Sequence, residues 1–192
     1  MADYLILGGW VRSEKSYRGL IASSPQSNKL LFLHHKEAEK PKNILKFINE
    51  KKINKINLIG HSIGGAMSIE FANKYPKRVN MLYLVDCEGI YGNETTTKIL
   101  FNLAKSQIHH GHKKLNANLR SVIQIIQNSK LAFKTAKYAH YAHFVEELKS
   151  LKIPVVVLWG EKDTITPLWQ GQMIHKLKKG SKLIILRNMD HD

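Results

Sequence analysis

Short apolar runs alternate along the chain with segments in which apolar residues recur every three or four positions. The runs are nearly continuous, as expected of strands covered on both faces of a parallel sheet. The segments between them have the spacing of amphipathic helices. This alternation predicts an α/β fold built on a mainly parallel sheet of about six strands. The predicted strands are Tyr4–Leu7, Leu30–Leu33, Ile56–Ile59, Met81–Val85, Val155–Trp159 and Leu183–Leu186.

Three helices are predicted where breaker residues bound the helical pattern. The first begins at Pro41, because proline fits the first turn of a helix, where the backbone N–H lacks a partner in any case. The second covers residues 63–74 and ends before Pro76, which disfavours helical geometry in the residue before it. The third covers residues 167–178 and ends near Gly180.

The stretch from about 91 to 150 breaks this rhythm. It contains no convincing strand and has the pattern of two or three helices, and so long a connection without structure would be improbable. The sequence therefore predicts a core formed by residues 1–90 and 151–192, interrupted by a helical cap or lid at 91–150.

The segment Gly60-His61-Ser62-Ile63-Gly64 joins the third predicted strand to a helix. It fits the G-x-S-x-G pattern, in which a serine on a sharp strand-to-helix turn serves as a nucleophile. A glycine-rich turn before a helix can also bind phosphate. That alternative is weaker, because neither G-x-G-x-x-G with a later acidic residue nor a Gly-Lys-Ser/Thr ending is present.

A serine hydroxyl needs a base and an orienting acid to attack a carbonyl. Asp163 follows the fifth predicted strand, and His191 follows the sixth. Because the carboxyl ends of parallel strands meet at one edge of a sheet, both residues are expected near Ser62. The sequence therefore predicts Ser62, Asp163 and His191 as the catalytic residues.

These motifs together resemble the α/β-hydrolase superfamily, whose triad occurs in the chain order Ser, Asp or Glu, His. The resemblance rests on G-H-S-x-G-G at 60–65, Val85-Asp86, W-G-x-x-D-x-x-x-P at 159–167 and the final D-H-D. It implies a three-layer αβα architecture. Compared with that family pattern, the chain is expected to lack the usual N-terminal strands and the final helix.

The resemblance also implies an oxyanion hole, formed by one backbone N–H after the nucleophile and one from the loop after the first strand. The corresponding residues are Ile63 and Trp10, although many relatives have His-Gly-x where this chain has Gly8-Gly9-Trp10. Gly9 and His61 are predicted to bind substrate. His61 is not expected to transfer the proton, because His191 occupies the matching place in the chain order.

Other chemically suggestive residues have plainer interpretations. Asp86 also stands at a strand end and is the alternative triad acid, but the G-x-x-D match favours Asp163. The three histidines at 109, 110 and 112 resemble a metal cluster, yet no cysteine or carboxylate stands at ligand spacing beside them. We therefore predict no metal and no cofactor. Cys87 is expected to be a small buried hydrophobe.

The formal net charge of +15 raises the possibility of a nucleic-acid partner. The lysines are scattered along the chain without a basic arm or an aromatic platform, so we expect a solvated surface and no nucleic-acid binding. A single cysteine, no signal peptide and no apolar run long enough to span a bilayer predict a cytoplasmic protein.

The sequence is thus interpreted as a serine hydrolase that cleaves an ester or related small acyl substrate through an acyl-enzyme. A C–C bond hydrolase, a thioesterase or an acyltransferase would need the same triad. A non-catalytic binding protein on the same fold is the alternative from another class. The oligomeric state cannot be inferred from the sequence.

Overall fold

The computed structural model describes residues 3–8, 14–17, 30–34, 37–38, 40–88 and 144–191. Within these ranges the strands are β1 (Asp3–Leu7), β2 (Leu30–Leu33), β3 (Ile56–His61), β4 (Val79–Val85), β5 (Val155–Gly160) and β6 (Lys182–Leu186). The helices are α1 (Pro41–Glu50), α2 (Ile63–Lys74), α3 (Val145–Ser150) and α4 (Leu168–Leu177). Two short 3₁₀ helices lie at Glu14–Tyr17 and Pro76–Arg78.

The six strands form one sheet in the order β2-β1-β3-β4-β5-β6, and every neighbouring pair is parallel. This confirms the predicted mainly parallel sheet with flanking helices. Each predicted strand is present, and most extend beyond their apolar run. In β3, for example, Gly60 and His61 still pair with β4, because the hydrogen-bond ladder does not depend on side-chain polarity.

The main hydrophobic core lies on one face of the sheet. Leu5, Leu58, Leu82 and Val155 stand side by side across four adjacent strands and are all buried. The four helices contribute apolar side chains to this same cluster. Those side chains include Ile44, Ile48, Ile69, Phe71, Leu148 and Ile174. Alternate strand residues thus point into the helix layer, as the period of a strand requires.

The strand order creates a crevice at the carboxyl edge of the sheet. The chain passes from β1 to β2 on one side and then to β3 on the other side of β1. Connections that leave β1 and β3 therefore diverge, and ligands of open α/β sheets bind outside the carboxyl ends at such a switch point. The turn that carries Ser62 follows β3 at this place.

Helix α3 belongs to the end of the predicted cap but packs on the core. Leu148 is fully buried, and the side-chain amide of Asn73 in α2 donates to the carbonyl of Glu147 at 2.7 Å. The rest of the predicted cap, residues 91–143, lies outside the described residues, so the domain boundaries stay a prediction. No helix in the described ranges is long and apolar enough to cross a membrane.

Candidate active site

Ser62 occupies a strained turn between β3 and α2. Its φ of 54° and ψ of −125° lie outside the regions that non-glycine residues normally adopt, at a cost of roughly 1–3 kcal/mol. The surrounding backbone holds the turn in place. The Ser62 N–H donates to the Val85 carbonyl at 3.0 Å, and the Ser62 carbonyl accepts from Gly65 and Glu88. The strain is therefore maintained by hydrogen bonds to β4 and the loop after it.

The glycines around Ser62 let three backbone segments approach closely. A Cβ added to Gly64 would collide with the carbonyl of Leu7 at the end of β1. A Cβ on Gly65 would meet the sulfur of Cys87, and one on Gly60 would meet the Ser68 hydroxyl. The turn therefore needs residues without bulk on both sides of the serine.

Asp163 lies in the loop after β5 and is 6% exposed. Its Oδ1 accepts the backbone N–H groups of Ile165 and Thr166, both at 2.8 Å. Its Oδ2 accepts from the Thr166 hydroxyl at 2.6 Å and from His191 Nδ1 at 2.8 Å. Four donors therefore fix this carboxylate in position and in its ionised form.

His191 lies in the loop after β6, with only 7% of its surface exposed. Because Nδ1 donates to Asp163, the neutral ring carries its proton on Nδ1 and leaves a lone pair on Nε2. This is the form that a general base needs. The His191 backbone N–H donates to the carboxylate of Asp190 at 2.7 Å, which helps to hold the loop.

Opposing effects determine the protonation of His191 and Asp163. Burial favours the neutral imidazole, but the hydrogen bond and charge of Asp163, with smaller contributions from Asp86 and Glu88, raise the pKa of His191 above 6.5. Burial alone would raise the pKa of Asp163, yet the hydrogen bonds from His191 and Thr166 lower it below its usual value of 3.8. The pair is therefore built to stabilise an imidazolium.

Asp86 lies beside this pair but plays a different part. Its Oδ1 accepts the Gly160 N–H at 2.8 Å, which ties the end of β4 to the end of β5. Burial raises the pKa of Asp86 to about 7, opposed by the Gly160 hydrogen bond and supported by the charge of Asp163. The carboxylate bonded to the His191 ring is that of Asp163, not of Asp86.

The structure brings Asp163 and His191 into direct contact, and the residue before Ser62, His61, contacts His191. His61 lies against His191, with ring centroids 5.2 Å apart. Among the described residues no hydrogen bond joins the Ser62 hydroxyl to the His191 ring.

Of the residues predicted to form the oxyanion hole, Ile63 is the first residue of α2, where backbone N–H groups have no partner within the helix. Gly9 and Trp10 lie outside the described residues.

Two residues that support the site were not found from the sequence. Thr166 donates to Asp163, and its place three residues after the acid within W-G-x-x-D-x-x-x-P could have indicated a local side-chain contact. The second residue, Glu161, is exposed. It accepts the Asn188 N–H at 3.0 Å, which joins the Asp163 loop to the His191 loop, and such long-range contacts leave no local signal.

The other chemically suggestive residues of the sequence are three histidines and Cys87. The histidines at 109, 110 and 112 lie outside the described ranges. Within those ranges, no group of three or more His, Cys, Asp or Glu side chains is arranged to hold a metal ion. Cys87 is fully buried, and burial raises the pKa of its thiol well above the usual value, as expected of a structural rather than nucleophilic cysteine.

The first curated relatives of this protein are longer chains. It is 28% identical over 157 residues to Lipase 1 of Psychrobacter immobilis, an alignment that covers 71% of this chain and 50% of the lipase. The chain spans about half the length of the first curated relatives that it matches.

Solved structures show the same fold at low sequence identity. An alpha/beta hydrolase enzyme from a sediment metagenome of the Mar Chica lagoon aligns with a TM-score of 0.77 and 18% identity, over 99% of this chain and 82% of that one. A hydrolase from Pseudomonas aeruginosa aligns with a TM-score of 0.76 and 14% identity, over 99% and 83%. The sequence profile described as alpha/beta hydrolase fold matches residues 18–122, more than half of the chain. The chain belongs to the alpha/beta hydrolase family.

Proposed function

We propose that this protein is a serine hydrolase that cleaves carboxylic esters through a Ser62-His191-Asp163 triad. The observation that carries the proposal is the 2.8 Å hydrogen bond between His191 Nδ1 and Asp163 Oδ2, made by two buried residues from different loops. The strained conformation of Ser62 at the switch point of the sheet supports it. Such strain is typical of functional residues, since folding alone does not require it.

In the proposed reaction, Ser62 attacks the ester carbonyl while His191 Nε2 removes the hydroxyl proton. Asp163 keeps the imidazole in the Nδ1-protonated form and stabilises the imidazolium that forms. His191 then gives the proton to the departing alcohol, and an acyl-enzyme remains on Ser62. Water, activated by the same histidine, releases the acid and restores the serine.

The developing oxyanion would be bound by backbone N–H groups. Ile63 supplies one donor from the first turn of α2, where the positive end of the helix dipole also favours negative charge. We propose Trp10 as the second donor. Each such donor contributes about 10²–10³ in kcat in enzymes of this kind.

An ester with an apolar acyl portion is the proposed substrate class. Lipase 1 of Psychrobacter immobilis, a relative in sequence, supports an ester substrate through its name. The length of the acyl chain is tested by the series of p-nitrophenyl esters described next.

The test is covalent labelling with a fluorophosphonate probe, which reacts with activated serines. The wild-type chain is expected to be labelled and to hydrolyse p-nitrophenyl acetate, butyrate or octanoate, and Ser62→Ala to do neither. Ser68→Ala is the matched control, because Ser68 is a buried serine in α2 whose hydroxyl donates to the Gly64 carbonyl. Absence of labelling and turnover in the folded wild type would exclude the proposal.

A further inference from the structure

His61 connects the turn that carries Ser62 to the loop that carries His191. Its side chain is 8% exposed, and its Nε2 lies 3.0 Å from the backbone carbonyl oxygen of His191, 130 residues later in the chain. On the other side of the ring, Nδ1 lies 2.9 Å from the hydroxyl of Tyr17. Both ring nitrogens therefore have hydrogen-bond partners.

The partners determine where the ring carries its proton. A backbone carbonyl can only accept a hydrogen bond, so Nε2 of His61 must be the donor to His191. In the neutral ring Nδ1 is then an acceptor, and the hydroxyl of Tyr17 donates to it. This assignment follows from the hydrogen-bond network. A neutral His61 places no second positive charge beside the imidazolium that His191 forms.

Besides the Thr166 hydroxyl, which lies 3.2 Å from Nδ1, three residues hold His191. Asp163 holds the ring through Nδ1, Asp190 accepts the backbone N–H, and His61 donates to the backbone carbonyl. Of these three, only His61 is joined by a peptide bond to Ser62. A shift of the His191 backbone relative to the serine turn must therefore break the bond from His61 or move both loops together.

We propose that His61 is a positioning residue that holds the His191 main chain at a fixed distance from Ser62 through its Nε2–H. The proposal rests on the proposed serine hydrolase function, because the distance matters for catalysis only if Ser62 and His191 react. His61 was predicted from the sequence to bind substrate, but with both nitrogens engaged it acts on the base instead.

Two isosteric substitutions separate the two hydrogen bonds. His61→Gln places an amide nitrogen near the position of Nε2 and keeps a donor for the His191 carbonyl, whereas His61→Asn reaches only as far as Nδ1. We expect His61→Asn to lower kcat by roughly 10- to 100-fold, since displacements of about 1 Å carry penalties of this size. KM should stay within about twofold, and His61→Gln should keep kcat within about threefold of wild type.

The split between kcat and KM and the rescue by glutamine distinguish positioning from a general structural role. A loss of stability would affect both variants and would appear in thermal unfolding. Equal kcat in His61→Asn and His61→Gln, whether both are low or both high, would overturn the proposal. So would an effect of His61→Asn on KM alone, which would indicate direct substrate binding.

A measurement on the wild-type chain keeps the two proposals distinguishable. Nitrogen-15 spectra of labelled histidines report the protonation state of each ring nitrogen, and His61 is identified by the loss of its signals in His61→Gln. We expect Nε2 protonated and Nδ1 unprotonated at neutral pH. A ring protonated at Nδ1 alone would overturn the positioning role even if the chain hydrolyses esters, whereas the expected spectrum in an inactive chain would reject only the proposed function.

Discussion

At the scale of single residues, the candidate site depends on how buried charges are compensated. Asp163 receives four hydrogen bonds and stays ionised, while Asp86 receives one from Gly160 and has a pKa raised to about 7. Two carboxyl groups buried near one imidazole thus have pKa values shifted in opposite directions, because their hydrogen-bond partners differ. The residue type alone does not reveal this difference.

Asp163→Asn tests the assignment of the acid through the pH profile. His191 acts as a base only when neutral, so kcat/KM should rise with pH through its pKa, which lies above 6.5 because of Asp163. Without the carboxylate of Asp163 the pKa of His191 falls. The rising part of the pH profile of kcat/KM, its acid limb, should therefore move to lower pH. At the same time kcat should fall by roughly 10³- to 10⁴-fold, since the ring loses its preferred tautomer.

The matched control is Glu161→Gln, which removes the charge of an exposed carboxylate in the same loop but keeps a side-chain oxygen that can accept the Asn188 N–H. It should keep the acid limb of wild type and most of its kcat. A kcat in Asp163→Asn within tenfold of wild type would show that another residue orients His191.

Asp86→Asn tests the buried carboxyl group through stability. Its folded pKa of about 7 lies above the value of an exposed aspartate, 3.8, so the folded state binds the proton more tightly. The contribution of Asp86 to the free energy of unfolding therefore falls as pH rises from about 4 to about 7 and is constant above. Urea unfolding should show an advantage of Asp86→Asn over wild type that grows through this window. An advantage independent of pH would contradict the assignment.

At the scale of secondary-structure elements, helix α2 determines the geometry around Ser62. The helix begins directly at the turn, and its first residues pack so closely on β1 that no side chain fits at Gly64. Glycine is otherwise unfavourable inside a helix by about 1 kcal/mol relative to alanine. Gly64 and Gly65 therefore allow α2 to approach the end of β1 and Cys87 after β4, although glycine is unfavourable within the helix.

Gly64→Ala should consequently destabilise the fold although alanine favours helices. The added Cβ collides with the Leu7 carbonyl, and we expect a loss of about 2–3 kcal/mol in the free energy of unfolding by urea titration. Gly180→Ala is the comparison, because a Cβ there meets no atom within 4 Å and only the positive φ of 79° opposes it. That variant should lose about 1 kcal/mol. A Gly64→Ala chain as stable as wild type would refute the packing argument.

At the scale of the whole molecule, the charges of the described residues separate along the strand direction. The connections at the amino edge of the sheet carry exposed or half-buried cations. They include Lys51, Lys52, Lys55, Lys74, Lys77, Arg78, Lys152, Lys178 and Lys179. The carboxyl edge includes the carboxyl groups at 37, 86, 88, 161, 163 and 190 and the cations Lys40, Lys162 and Arg187. The parallel topology places every helix-to-strand connection at the amino edge, and the residue types in those connections give that edge its excess of cations.

The net charge of +15 predicts that added salt stabilises the protein. Like charges crowded at the amino edge repel each other, and salt screens this repulsion. The free energy of unfolding should rise by about 1 kcal/mol between 20 and 200 mM NaCl, the scale of a few screened surface pairs. The measurement is urea unfolding at both concentrations, with an uncharged osmolyte of equal osmolality as control. A fall in stability with salt would show that attractive pairs dominate.

The sequence by itself determined the strands, the helix boundaries and the positions of Ser62, Asp163 and His191 at strand ends. These features depend on local patterns, since apolar runs specify buried strands and prolines and glycines mark helix ends. Parallel strands then direct all their carboxyl ends to one edge, so a motif at a strand end can be placed at the site without coordinates. Family resemblance and fold followed from the same local information.

Only the tertiary structure decided which carboxylate bonds His191, that Thr166 and Glu161 support the two loops, and that His61 reaches the main chain of His191. The physical reason is that most of these contacts join residues far apart in the chain. Each contact depends on a distance that must be correct to within tenths of an ångström, and no sequence pattern records such distances. The raised pKa of Asp86 has the same origin, because burial and neighbouring charges exist only after the loops have come together.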